Sequence, residues 1–239
     1  MIKIAVNGAA GRMGSRIIAL AQEQPNDFQI AQTFDLGKLE DLLPYAKGEK
    51  KLACDVLIDF SGPDGAKRSN AAANLSGKGL VIGSTGLDDE AVKAIHATAT
   101  KVPVVLSSNM SVGLNVMLAL VEGAAKKLSN DFAVQMSETH HVHKKDAPSG
   151  TALMLLKAIA DAKGWNPEQV QKQRNRIQSI RKGEIVGDHT VLFLGPAESI
   201  EITHRAQSRD TFARGALLAA KFVSQAKPGR LYSMADVLK

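Results

Sequence analysis

Apolar positions in the first hundred residues follow two alternating periods. "MIKIAVNG" is a short β-rich run that stops on a glycine, and "RMGSRIIALAQEQ" then sets Met13, Ile17, Ile18 and Ala21 at helical spacing. "FQIAQTFD" reads as a second strand closing on Asp35, which completes a strand–helix–strand unit. The run from Val56 to Phe60 reads as a fully buried strand, "SNAAANLSGKG" as a crossover helix, and "LVIGSTG" as a strand ending in glycine. "DDEAVKAIHATAT" is a helix with acidic residues at its N-terminus, where the macrodipole favours them, and "VPVVLSSNMS" is one more strand. Strand and helix in regular alternation imply a parallel sheet with helices on both faces.

After residue 110 the rhythm changes. "VGLNVMLALVEGAAKKL" reads as a long helix and "DFAVQMSETHH" as a strand. "HTVLFLG" and "SIEITHRAQS" look like paired antiparallel strands with "PAE" in the turn, and "FARGALLAAKFVSQA" is a final helix. A parallel half followed by an antiparallel half predicts an α/β protein of two domains, with a boundary near residue 110. No internal repeat or low-complexity tract interrupts either half.

Composition narrows the classes. The chain has 239 residues, 44% of them apolar, which describes a globular protein able to bury a real core. Its net charge of +6 is not gathered in a basic run, and aromatics supply only 4% of residues. That leaves few base-stacking platforms, so small anionic ligands are expected rather than nucleic acid. Cys54 is the only cysteine, which excludes an intrachain disulfide and fits a reducing compartment. The N-terminus has no signal-peptide pattern, and no apolar run approaches the ~20 residues of a membrane span. The expectation is a cytoplasmic protein with no membrane partner.

"VNGAAGRMG" places Gly8, Gly11 and Gly14 between the first strand and the first helix. Glycines there permit a tight turn and let backbone N–H groups approach a pyrophosphate at the helix N-terminus, although an ordinary turn uses them too. Asp35 ends the second strand, where a carboxylate can accept hydrogen bonds from the adenosine ribose. "GSTG" (83–86) and "SSNMS" (107–111) end later strands, and loops at carboxyl strand ends line the ligand crevice of such sheets. Together they predict a Rossmann-type domain that binds a nicotinamide dinucleotide. Asp35 would repel the 2′-phosphate of NADPH, and Leu36 follows it rather than an arginine. Lys38, close by, can soften that preference, so NADH is the expected cofactor with NADPH as the alternative.

"SETHHVHKKDAPSGTALML" (137–155) crowds His140, His141 and His143 against Lys144 and Lys145, directly before a helix. Zinc is one reading, with Asp146 or Glu138 adding oxygen, but adjacent histidines converge poorly on one ion and the lysines repel it. A solvated charged surface is another. The third is an anion-handling catalytic site, because lysine and protonated histidine attract carboxylates and histidine gives up a proton near neutral pH. Pro148 and Ser149 look like the lead-in and cap of a helix that Gly164 ends. Gly150 and Thr151 would then offer N–H groups and a hydroxyl at its positive end. This third reading uses the most residues and needs no metal. Opposite a nicotinamide, it describes reduction of an unsaturated or imine-bearing carboxylic acid.

"VNGAAGRMG", "VIGSTG", "SSNMSVGLNVM", "ETHHVHKKDAPSGTA" and "GEIVGDHTV…EITHRAQSRDTFARGA" together resemble the dihydrodipicolinate reductase family of bacterial and plant lysine synthesis. The resemblance runs from residue 2 to about residue 238, and H-H-x-x-K-x-D-A-P-S-G-T-A is its most specific piece. It implies NAD(P)H-dependent reduction of a cyclic dicarboxylate, 4-hydroxy-tetrahydrodipicolinate, to tetrahydrodipicolinate with loss of water. It implies His140 as proton donor or acceptor, Lys144 as proton donor, and His141, Gly150 and Thr151 as contacts to the substrate carboxylates. Dinucleotide contacts are implied at Gly8, Ala9, Ala10, Gly11, Arg12, Met13 and Asp35. Further ones are implied at Gly83, Ser84, Thr85, Ser107, Ser108, Asn109 and Met110.

The resemblance also implies a homotetramer built through the second domain's sheet, with residues 209–239 packed back on the nucleotide domain. The domains are then 1–110 with 209–239 for the dinucleotide, and a smaller α+β domain, 111–208, for substrate and oligomerisation. Three departures stand out. Met110 replaces a phenylalanine common near the nicotinamide, Asp35–Leu36 replaces an acidic–arginine pair, and the short segment before Cys54 implies a trimmed surface helix or hairpin. Two other classes remain to be separated by experiment. A sensor that binds NADH without turnover has no use for the H-H-x-x-K cluster, and a related reductase of another small acid would lack "KKDAPSG".

Overall fold

The computed structural model describes residues 1–37 and 39–239, so the expectation attached to Lys38 lies outside the described residues. The chain divides into two compact units, Met1–Val112 with Arg209–Lys239, and Gly113–Ser208. Its first elements are β1 (Ile2–Asn7), α1 (Arg12–Gln22), β2 (Phe28–Phe34), α2 (Leu43–Ala46), β3 (Val56–Asp59), α3 (Pro63–Ser76), β4 (Gly79–Ile82), α4 (Asp89–Ala99) and β5 (Val104–Leu106). The second unit follows with α5 (Val112–Lys127), β6 (Ala133–His140), α6 (Gly150–Lys163), α7 (Pro167–Arg174), β7 (Gln178–Arg181), β8 (Gly187–Leu194) and β9 (Ser199–Ala206). The chain then returns to the first unit with α8 (Asp210–Val223), β10 (Leu231–Tyr232) and α9 (Met234–Val237).

The first unit's sheet has the order β10-β5-β4-β3-β1-β2, and every pair is parallel. Side chains alternate across a strand, so each strand feeds two cores. Ile4, Val6, Ile58, Val81 and Val105 pack with α1 and α8 through Ile17, Leu20, Leu217 and Ala220. Ala5, Leu57, Leu80, Ile82 and Val104 pack on the other face with Tyr45, Ala66, Ala73 and Ile95. A strand buried on both faces gains nothing from polar alternation, which is why these strands read as continuous apolar runs. Cys54 belongs to the second core, and burial pushes its thiol pKa up to about 11, so it packs as a small hydrophobe.

Several elements depart from the sequence pattern. Helix α3 starts at Pro63 rather than near Ser69. Proline suits a first helical turn, whose N–H would be unpaired anyway, and the small polar residues after it hid the period. Strand β5 ends at Leu106, and "SSNMS" is a loop closed on itself. There Ser107 Oγ donates to the Asn109 carbonyl at 2.8 Å, and the Asn109 side chain accepts the Ser111 N–H at 2.9 Å. Helix α2 occupies the shortened segment before Cys54, and α7, β7, β10 and α9 had no legible apolar period.

The second unit's sheet has the order β7-β6-β8-β9. Strands β6, β8 and β9 pair antiparallel, but β7 joins β6 in parallel, so this half is mixed rather than purely antiparallel. One sheet face, with Met136, Val191 and Phe193, packs on α5 and α6 through Leu114, Val121, Leu155 and Ile159. Among the described residues no helix is long and apolar enough to cross a membrane.

Backbone meets backbone where α8 crosses the 107–111 loop: a Cβ on Gly215 would lie 1.7 Å from the Met110 carbonyl oxygen. Gly215→Ala is therefore expected to lose about 1–3 kcal/mol of stability. Urea denaturation checks this, and an unchanged midpoint would rule the close approach out.

Candidate functional site

In the first unit the turn after β1 is shaped by contacts that exclude side chains. Gly8 has φ +80°, and a Cβ there would meet the Phe60 carbonyl oxygen at 2.6 Å. A Cβ on Gly14 would lie 2.1 Å from the Gly8 carbonyl oxygen, so the first turn of α1 rests directly on the loop. Gly11 caps α1 with no side-chain acceptor, which leaves the first-turn N–H groups and the positive helix end to an anion. The Gly8 and Ala9 N–H groups donate to the Phe34 carbonyl at 2.9 and 3.0 Å, and Ala10 N–H donates to Asp35 Oδ2 at 3.0 Å. A cavity of about 380 Å³ runs beside this loop, with Gly8, Gly11, Asp35, Leu36, Gly62 and Arg68 in its walls. A side-chain-free cradle at a helix start, with a carboxylate at the end of β2, fits the phosphates and ribose of a dinucleotide.

The loops after β3 and β4 are tied together from inside. Asp59, fully buried, accepts hydrogen bonds from Asn7 Nδ2 at 2.8 Å, Ser61 Oγ at 2.6 Å and Ser69 Oγ at 2.9 Å. Burial pushes its pKa up despite these donors. Ser84 also donates to Asp59, and its oxygen accepts the N–H groups of Ser61 and Gly62 at 3.0 and 2.9 Å. The residues expected to touch a cofactor thus divide. Ala10, Gly11, Arg12, Thr85 and Ser108 are exposed, with Met13, Asp35, Ser107 and Asn109 half-buried. The Ser84 hydroxyl is engaged with the protein, and Met110, 1% exposed, lies in the core of α1 and α8. Gly83 is half-buried and makes room for the Phe60 ring, which a Cβ would meet at 2.2 Å.

In the second unit β6 carries Glu138 and His140 two residues apart, hence on one face, and His189 of β8 pairs directly with Glu138. All three are buried, at 1%, 7% and 4% exposure. His140 Nδ1 lies 2.8 Å from Glu138 Oε2. Glu138 Oε1 accepts the Ser149 N–H at 3.2 Å and Arg181 Nη2 of β7 at 3.1 Å. Ser149 caps α6, accepting the Ala152 N–H at 3.1 Å, and its Oγ is 3.2 Å from His189 Nε2. Burial alone would raise the Glu138 pKa, but hydrogen bonds from Ser149 and Arg181 help outweigh it and hold the carboxyl below its ordinary value. Burial lowers the His140 pKa, with Glu138 opposing only in part, so the imidazole is neutral at neutral pH. Burial and the neighbouring His140 take His189 down to about 4.

The three clustered histidines are not used alike. Only His140 turns inward; His141 is half-buried beside the exposed His143, their rings 5.9 Å apart. Lys144 Nζ pairs with Asp146 Oδ1 at 2.9 Å, and Gly150 and Thr151 begin α6 as exposed and half-buried residues. Glu138, His140 and His189 hold their potential ligand atoms within 4.8 Å of one another, a different trio from the one the sequence offered to zinc, and Arg181 already sits on its carboxylate. Gly187 packs close to the His140 ring, since a Cβ there would lie 3.0 Å from Nε2. Sequence reasoning weighed Glu138 only as a ligand and missed His189, Arg181 and Gly187. Strand alternation from His140 points to Glu138; nothing local points to the others.

A family model described as dihydrodipicolinate reductase, N-terminus, matches residues 2–110, and its C-terminus counterpart matches residues 113–238. The 4-hydroxy-tetrahydrodipicolinate reductase of Citrifermentans bemidjiense is 42% identical over 265 residues, covering 100% of this chain and 99% of that protein. The same-named protein of Trichlorobacter lovleyi is 42% identical over 269 residues, with the same coverage. Among solved structures, the dipicolinate-bound dihydrodipicolinate reductase of Paenisporosarcina sp. TG-14 matches with a TM-score of 0.78 at 22% identity, covering 98% of this chain and 97% of its own.

Two imidazoles kept neutral by burial make stability depend on pH. For His189 the folded pKa of about 4 lies below the ordinary 6.5, so between those values the unfolded chain binds the extra proton. Stability should therefore rise with pH across that window and cease to change on this account above it. His189→Gln should remove up to about 1.4 kcal/mol per pH unit of that slope. Unfolding free energies at pH 5 and pH 7 decide it; a slope that survives the substitution would clear His189 of the effect.

Proposed function

The chain belongs to the dihydrodipicolinate reductase family, and from that premise we propose that it reduces 4-hydroxy-tetrahydrodipicolinate to tetrahydrodipicolinate. The reaction consumes one reduced pyridine nucleotide and one proton, releases one water, and serves diaminopimelate and lysine synthesis. The observation that carries this reading is the buried Glu138–His140 pair at the end of β6, followed in the chain by Lys144 and the N-terminus of α6.

The first unit holds the nucleotide: the Gly8–Met13 loop and the start of α1 take the pyrophosphate, and Asp35 takes the adenosine ribose. The loops at 83–85 and 107–110 complete that surface through their exposed residues and backbone. NADH is preferred, because the Asp35 carboxylate repels a 2′-phosphate. When bound, the dihydronicotinamide supplies the hydride. In the second unit the carboxylates of the cyclic substrate are held by His141, Lys144, the Gly150 N–H and Thr151 at the positive end of α6. Lys144 donates the proton. His140, neutral and with Nδ1 2.8 Å from Glu138 Oε2, presents Nε2 as the acceptor that passes protons on, and Glu138 stabilises the imidazolium formed in passing. Assembly as a homotetramer through this unit's sheet is supported by the face opposite α5 and α6, where Ser137, Thr190, Leu192 and Thr203 remain partly exposed in the single chain.

Oxidation of NADH by the purified protein, with the labile substrate generated in place by the preceding synthase, tests the reading; the same assay with NADPH ranks the two nucleotides. Positioned proton transfer is worth ~10²–10⁴ in rate, so His140→Ala should lose about that factor in kcat while still binding NADH. A normal kcat would remove His140 from the chemistry. Lys144→Ala should damage both kcat and KM, since it loses charge pairing as well as a donor. NADH binding with no oxidation of either nucleotide would leave only the sensor reading.

A further inference from the structure

NADH and NADPH differ at one position, the adenosine 2′ oxygen, which bears a hydroxyl in one and a phosphate in the other. Discrimination is therefore decided by the charges around that point. In this chain the wall of the cavity beside Asp35 contains three acidic side chains, Asp35, Asp41 and Asp64, and one basic one, Arg68. Asp64 and Arg68 are four residues apart in α3 and so lie on one helix face, toward the cavity they both line. Asp41 stands just before α2. Its Oδ1 accepts the Leu43 N–H at 2.9 Å, which fixes the carboxylate, and also meets Arg68 Nη1 at 3.4 Å. Arg68 is thus drawn to a carboxylate that the backbone itself holds in place.

We propose that the Asp41–Arg68 pair is a second determinant of nucleotide choice, acting beside Asp35. Arg68 is a guanidinium at the rim of the pocket, able to pair with a phosphate through two parallel N–H bonds. While Asp41 holds it, its charge is offset and the cavity presents a net negative wall to a 2′-phosphate. The contact is long, and both side chains are substantially exposed, at 36% and 46%, so the pair is weak and yields readily. The preference for NADH then rests on two carboxylates with different tasks. Asp35 addresses the ribose, and Asp41 restrains the one cation among the described lining residues that could reward a phosphate there. The inference rests on the reading of the first unit as the nucleotide site.

The test is equilibrium binding of NADH and NADPH, followed by quenching of protein or nucleotide fluorescence, with no substrate present. Asp41→Asn keeps an oxygen for the Leu43 N–H but removes the charge that holds Arg68. It should lower the ratio of Kd for NADPH to Kd for NADH by about fivefold at low salt, the upper range for an exposed pair. That gain should fade as salt screens it over a Debye length of about 10 Å at 0.1 M. In the double variant Asp41→Asn, Arg68→Gln the gain should disappear, because the cation that produces it is gone. A ratio unmoved by Asp41→Asn, or a gain that survives loss of Arg68, would overturn the proposal while leaving the nucleotide site intact. Failure of the unaltered protein to bind either nucleotide would overturn that site and this inference together.

Discussion

A carboxylate taken out of water keeps its charge only when donors surround it, and Glu138 is where the second unit meets that requirement. Its donors come from segments far apart in the chain, the Ser149 N–H at the start of α6 and the Arg181 guanidinium on β7, while the imidazole of His140 lies 2.8 Å away on β6 itself. Each contact fastens one end of the segment that joins β6 to α6. The loop from His141 to Pro148 leaves β6 at one of them and reaches α6 at another, so the position of Lys144, Gly150 and Thr151 follows from how the carboxylate is satisfied. Burying the charge is costly alone, and the hydrogen bonds that offset it are what give this region one arrangement.

The first unit uses the same device with the opposite electrostatic outcome. Asp59 ends β3, and its donors reach it from β1, from the β3–α3 loop, from α3 and from the loop after β4. None of those donors is a cation, and burial pushes the Asp59 pKa up, whereas Arg181 helps hold Glu138 down. Asp59 therefore serves as a hub that sets loop positions, and Glu138 as a hub whose carboxyl is held below its ordinary pKa. Asp59 stands at the carboxyl end of its strand, where loops gather and ligands bind in open α/β sheets.

Two kinds of physics shape the surface around the β1–α1 turn. The cradle at Gly8 and Gly14 is a matter of backbone approach, closed to a Cβ at either position. The charged wall of that cavity is made of exposed groups such as the Asp41–Arg68 pair, each worth little alone and readily changed by one substitution. Substitutions among those charges therefore leave the backbone of the turn undisturbed.

Much of this was legible in the sequence. Apolar runs without polar alternation announced a parallel sheet, glycines between β1 and α1 announced the cradle, and Ser149 and Gly164 marked the ends of α6, because each reflects a constraint satisfied within a few residues. His140 and Lys144 stood out as chemistry that packing does not ask for. Other features carry no local trace. Helix α7 is polar nearly all round, and its start rests on the Asn166–Gln169 capping box rather than on an apolar stripe. Strand β7 was missed for a related reason, since it is short and half-exposed. The neighbours of His140 include residues far along the chain: Arg181 is 43 residues past Glu138, and His189, whose ring stands 5.1 Å from that of His140, is 40 past Ser149. The sequence by itself determined the element types and the residues able to do chemistry, since periodicity and turn chemistry are short-range. Only the tertiary structure decided which histidine turns inward and which charges surround it, because strand register and burial are set by contacts between distant segments.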